Sequence, residues 1–93
     1  MTTFVVTKTF ESLNGYSFSE VCASDCKETA YTEMTIVAQS TLVEMIAQSR
    51  TVKFSEPPRV TRSDDESIVI EDDCGRCVTF AVRKQEKKVP EED

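Results

Sequence analysis

Apolar and polar residues alternate in two stretches near the start of the chain, switch to a helical period in the middle, and alternate again toward the end. Thr3 to Phe10 and Tyr16 to Cys22 flank the turn signal Leu13-Asn14-Gly15, which predicts a β-hairpin over residues 3–23. Side-chain parity favours a three-residue loop with Gly15 in the left-handed conformation. That loop sets Phe10 opposite Phe18, Val6 opposite Cys22 and Lys8 opposite Glu20. Phe4, Val6, Phe10, Tyr16, Phe18 and Cys22 then share one face, while Thr3, Thr7, Thr9, Ser17 and Ser19 occupy the other.

Asp25-Cys26-Lys27-Glu28 fits a helix start, with Asp25 as the cap and Glu28 completing a capping box three residues later. The helix is predicted to run to about Arg50. Ala30, Tyr31, Met34, Ala38, Thr41, Leu42 and Met45 fall on one stripe that would cover the sheet. The β-branched run Thr35-Ile36-Val37 lowers helix propensity and Thr41-x-x-Glu44 is itself a capping signal. A strand or break over residues 32–40 followed by a shorter helix is therefore the competing reading. If the helix is continuous, Ile36, Val43, Ile46 and Ala47 form a second stripe on its outer side, a candidate oligomer or partner surface.

Beyond the helix, Thr51 to Phe54 suggests a short edge strand stopped by Pro57-Pro58, and residues 55–65 read as a loop. Ser67 to Asp72 and Cys77 to Lys84 form a second hairpin around Asp73-Cys74-Gly75-Arg76. An odd loop there places Ile70 opposite Phe80 and Ile68 opposite Val82 on one apolar face. Residues 85–93 are charged, contain Pro90 and have little to bury, which predicts a disordered tail. The expected architecture is α+β, in the order ββα(β)ββ. A four- to five-stranded antiparallel sheet is packed by one helix, in a single domain over residues 1–84.

A chain of 93 residues buries a modest core, which favours a surface binding function over a deep active site. Seventeen Asp/Glu against eleven Lys/Arg give a net charge of −6, which disfavours nucleic acid and anionic membranes and favours basic protein surfaces. The first twenty residues do not follow the pattern of a signal peptide, and no later run is long enough to cross a bilayer. These features predict a cytoplasmic protein. The chain has no histidine, Gly-x-Ser-x-Gly elbow or Gly-rich phosphate loop, so an enzyme is not expected.

Two features carry candidate chemistry. Asp64, Asp65, Glu66, Glu71, Asp72 and Asp73 form an acidic segment without an intervening base. It is read as a protein interface for an Arg/Lys-rich surface, against the plainer reading of a solvated loop beside an apolar strand. Cys22, Cys26, Cys74 and Cys77 form two couples at spacings that suit a structural four-cysteine zinc site. The competing readings are a redox pair in a reducing cytosol, and Cys22 as a small buried hydrophobe with no cofactor bound at all.

The Met1-Thr2-Thr3-Phe4 strand opening, the passage Val21-Cys22-Ala23-Ser24-Asp25 into a helix, the closing hairpin and the acidic balance together resemble small phage or mobile-element anti-defence proteins of the anti-CRISPR type. The resemblance spans residues 1–84 in element order, and the class has no common motif from which functional residues transfer. It implies a viral inhibitor that binds a CRISPR effector or nuclease stoichiometrically in the host cytoplasm, as a monomer or homodimer without direct nucleic-acid contact. A zinc-stabilised adaptor and a dimeric antitoxin-like regulator are the alternatives.

Overall fold

The computed structural model describes residues 2–49, 57–64, 66–73 and 75–86. Its elements are β1 (Thr2–Ser12), β2 (Gly15–Ser24), α1 (Lys27–Ser49), β3 (Arg59–Ser63), β4 (Ser67–Glu71) and β5 (Cys77–Glu86). The fold is α+β, as expected. One helix lies on a five-stranded antiparallel sheet of order β2-β1-β5-β4-β3. β1 and β5, from opposite ends of the chain, pair over ten residues at the centre, from Thr2↔Glu86 to Glu11↔Cys77.

The helix is unbroken through residues 32–40. Ala30, Met34, Ala38 and Met45 are buried at helical spacing, and burial of this stripe outweighs the low propensity of the β-branched run. Thr32 and Thr35 also donate their hydroxyls to the carbonyls of Glu28 and Tyr31, four residues back, which satisfies them within the helix. Thr41 and Leu42 are half-buried as the stripe predicts, but Tyr31 is exposed at its margin.

The cap sits one residue later than the sequence suggests. The first helical hydrogen bond runs from Ala30 N to Cys26 O, so Cys26, not Asp25, occupies the cap position. Ser24 Oγ accepts the Cys26 N–H at 3.1 Å and fixes the entry of the chain.

On the helix side, Val6, Ile68, Ile70, Val78 and Phe80 form the sheet's contribution to the core. Phe4, Phe10, Cys22 and Val82 pack around it. The second hairpin keeps the predicted apolar face but shifts its register by two, giving Ile68↔Phe80 and Ile70↔Val78. The shift follows from the loop: Glu71 pairs with Cys77, and the turn closes through Asp72 N to Arg76 O at 3.1 Å. Gly75 adopts φ 83°, a left-handed conformation that costs glycine little, and a Cβ there would come within 3.3 Å of the Leu13 side chain.

Two further expectations are corrected. β3 lies inside the stretch 55–65 read as loop. Its residues are all exposed, so they lack the apolar alternation by which strands are recognised. Pro57 and Pro58 precede this strand, where their missing N–H groups cost no ladder bond. Finally, Gln85 and Glu86 belong to β5, paired with Thr3 and Thr2, and are not part of a disordered tail. The strand expected at Thr51–Phe54 and the tail beyond residue 86 lie outside the described residues.

Phe80 is fully buried at the centre of this core. Phe80→Ala is expected to lower the unfolding free energy by about 3–5 kcal/mol, a large share of a small domain's stability, measurable by urea denaturation.

Candidate functional site

One helix covers one face of the sheet and no described element covers the other, although Val5 and Thr7 on that face are buried. Which residues the uncovered face presents depends on the β1–β2 register. A two-residue turn, Leu13-Asn14, joins the strands through the pair Ser12↔Gly15, and Gly15 opens β2 at φ 157° instead of in the expected left-handed helical conformation. The pairs that follow are Glu11↔Tyr16, Phe10↔Ser17, Thr9↔Phe18, Lys8↔Ser19 and Thr7↔Glu20. A register shift between Val6 and Thr7 then leaves Val21 as an extra residue on β2 and restores the predicted pair Val6↔Cys22.

The consequence is a change of face. Cys22 and Ser24 lie on the α1 side with Val6 and Phe4, but Tyr16, Phe18 and Glu20 lie on the uncovered side with Glu11, Thr9 and Thr7. The expected pairs Phe10 with Phe18 and Lys8 with Glu20 do not form, because the shorter turn moves β2 by one residue until the bulge moves it back.

Tyr16 and Phe18 are 66% and 49% exposed, and β1–β2 pairing places Glu11 and Glu20 beside them. On this face one row runs Phe18, Thr9, Thr79, Val69, Arg62, and the next runs Tyr16, Glu11, Cys77, Glu71, Arg59. The uncovered face is thus aromatic and acidic at the β2 edge, lined with small and β-branched side chains in the middle, and basic at the β3 edge. Two aromatic rings flanked by carboxylates suit a guanidinium, which stacks on the one and pairs with the other.

The acidic segment behaves differently from its sequence reading. Arginines that flank it in sequence compensate half of it. Asp72, whose side chain is 2% exposed, accepts the Arg76 backbone N–H at 2.9 Å and Arg76 Nε at 2.6 Å, and Arg76 Nη1 continues to Gln48 on α1 at 2.9 Å. Asp64 accepts the N–H groups of Glu66 and Ser67 at 2.9 and 2.8 Å and Arg62 Nε at 3.2 Å. These bonds, those to the backbone first, hold its carboxyl below the usual carboxylate range. Asp73 pairs with Arg59 at 3.9 Å. Glu66 and Glu71 are exposed, with Glu71 on the uncovered face, and Asp65 is outside the described residues. Three of the six acids, Asp64, Asp72 and Asp73, are thus engaged by arginines, and Asp64 and Asp72 also fasten turns.

Cys22 and Cys77 lie on opposite faces of the sheet. Cys22 projects toward α1 and packs against the core, whereas Cys77 points to the uncovered face, near Thr79. Cys74 lies outside the described residues. Among the described residues, no group of three or more Cys, Asp or Glu side chains is arranged to hold a metal. Partial burial and the nearby Glu33 push the Cys22 thiol up. Cys26 is the opposite case: the backbone N–H and hydroxyl of Thr29 and the N–H of Glu28 stabilise its thiolate and hold its pKa below that of an ordinary thiol.

The outer stripe of the continuous helix is present as foreseen. Ile36, Val43 and Ala47 are exposed and Ile46 is half-buried. The apolar groove between α1 and β3, lined by Thr35, Ala38, Leu42, Val60 and Ile68 among others, carries no acid or base. No described helix is long and apolar enough to cross a membrane. Set against known protein families, curated proteins and solved structures, the chain matches none.

Two outcomes follow from these geometries. Asp72→Ala is expected to cost about 2–3 kcal/mol in urea denaturation, because it strands a guanidinium and a backbone N–H, whereas Glu66→Ala changes stability by about 0.5 kcal/mol or less. Under neutral conditions iodoacetamide is expected to alkylate Cys26 faster than Cys22. Thr29→Val should slow that reaction and shift its pH profile upward, read by mass spectrometry of timed aliquots.

Proposed function

We propose that this protein acts by stoichiometric contact with another protein, without chemistry of its own, and that the β2 side of the uncovered sheet face makes that contact. One observation carries this reading: Tyr16 and Phe18 stand exposed on a rigid sheet with Glu11 and Glu20 beside them. Exposed aromatics held by paired strands lose little conformational freedom on binding, and aromatic residues are enriched among those that dominate interface energetics.

The flanking carboxylates and the net charge of −6 select a basic partner surface. Surfaces that hold nucleic-acid phosphates have that character. In the anti-CRISPR-type reading the partner is a CRISPR effector or its nuclease, and the bound protein blocks access of target DNA to it. Glu71 extends the acidic character of this face, whereas Asp64, Asp72 and Asp73 contribute mainly by shaping the turns beside it.

The direct test is a heteronuclear NMR titration with a short oligo-arginine peptide as the probe. Shifts are expected at Glu11, Tyr16, Phe18 and Glu20; shifts confined to residues 64–73 would return the interface to the acidic turns. Against a purified CRISPR effector, the double variant Tyr16→Ala/Phe18→Ala should inhibit target cleavage at least about 30-fold less well than the wild type, the size expected on removing a dominant interface aromatic. Equal inhibition by the two would contradict the assignment.

A further inference from the structure

The two edges of the sheet are built differently. β3 is five residues long, follows two prolines, and carries Arg59 and Arg62, all features that discourage pairing with another strand. β2 is ten residues long and contains no proline, lysine or arginine; Glu20 is its one charged residue, and Gly15 to Glu20 are all exposed. Its protective features are the Glu20 charge and the irregularity at Val21, which limits the straight, open part of the edge to residues 15–20.

We infer that the open stretch of β2 pairs antiparallel with β2 of a second copy about a two-fold axis at Phe18, joining two sheets into one of ten strands. The backbone phase permits it. In a two-residue hairpin the pair that closes the turn is the hydrogen-bonded one, here Ser12↔Gly15, so Gly15, Ser17 and Ser19 turn their backbone groups inward to β1. Tyr16, Phe18 and Glu20 direct theirs outward. Centred on Phe18, the arrangement pairs Phe18 with its own copy and Tyr16 with Glu20 of the other chain. Every outward N–H of the three residues then meets an outward C=O.

The side chains are self-complementary in the same register. Phe18 meets Phe18 across the axis, and each Tyr16 hydroxyl lies beside a Glu20 carboxylate; aromatic pairs and donor–acceptor pairs are the favourable cross-strand combinations. On the α1 side the opposed residues are Ser17 and Ser19, small and uncharged. Ser17 and Ser19 are exposed on the α1 side, so the helix of neither copy covers the strand at the axis. The uncovered faces of both copies end on the same side of the joined sheet. The pairing rests on the strand edge and not on the partner proposed above, and because it engages the Tyr16, Phe18 and Glu20 side chains the two contacts compete.

Sedimentation of the purified chain tests this. The wild type is expected to reach twice the 10.5 kDa chain mass as concentration rises, and Phe18→Lys, which sets two ammonium groups against each other on the axis, should stay at the single-chain mass. Amide exchange of the unaltered protein is the second readout: the Tyr16, Phe18 and Glu20 amides should slow together with increasing concentration while Gly15, Ser17 and Ser19 stay constant. A wild type that remains a single chain with concentration-independent exchange at those three amides would overturn the inference. So would a dimer that survives Phe18→Lys with its mass unchanged, or edge amides that slow only when a basic partner is added.

Discussion

The organising constraint is the register between β1 and β2. A two-residue turn places β2 one position out of phase with the core, and the extra residue at Val21 brings it back. Because side chains alternate strictly along a strand, a one-residue offset sends a whole segment to the opposite face. Cys22 therefore joins Val6 under the helix, while Tyr16 and Phe18, four to six residues earlier on the same strand, face solvent. The exposed aromatics, the carboxylates beside them and the phase of the free strand edge all follow from this offset.

The rest of the molecule supplies a rigid support for that strand. β1 is held between β2 and β5, and α1 fixes the other side of the central strands through Ala30, Met34, Ala38 and Met45. The turns at the far side are fastened by charge. Asp72 with Arg76, and Asp64 with Arg62 and two backbone N–H groups, stabilise short connections that have little apolar surface of their own. Acids that look like a binding patch in one dimension thereby become part of the scaffold. The carboxylates left for recognition include Glu11 and Glu20, from strands distant in sequence from that segment.

Much of the fold was legible in the sequence, and the limits have physical causes. The helix stripe from Ala30 to Met45 and the apolar alternation of β4 and β5 were readable because burial imposes a period. β3 was missed because an edge strand exposed along its length imposes none. The bulge at Val21 was missed for a related reason: both registers pair Val6 with Cys22, and local composition does not show where an extra residue is inserted. The acidic segment reads as uncompensated because its arginine partners, Arg59, Arg62 and Arg76, flank it in sequence and do not interrupt it. The candidate face is legible in one local signal, aromatic residues at 16 and 18 alternating with serines at 17 and 19, once the turn before them is two residues long.

The register is best tested by the pattern of nuclear Overhauser contacts between Hα protons across β1 and β2 in a labelled sample. Close Hα pairs for Thr9 with Phe18 and Glu11 with Tyr16, changing phase at Val21 to the Val6–Cys22 pairing, are what this account predicts. Continuous cross-strand contacts pairing Phe10 with Phe18 and Lys8 with Glu20 would contradict it. They would return both aromatic rings to the helix side of the sheet.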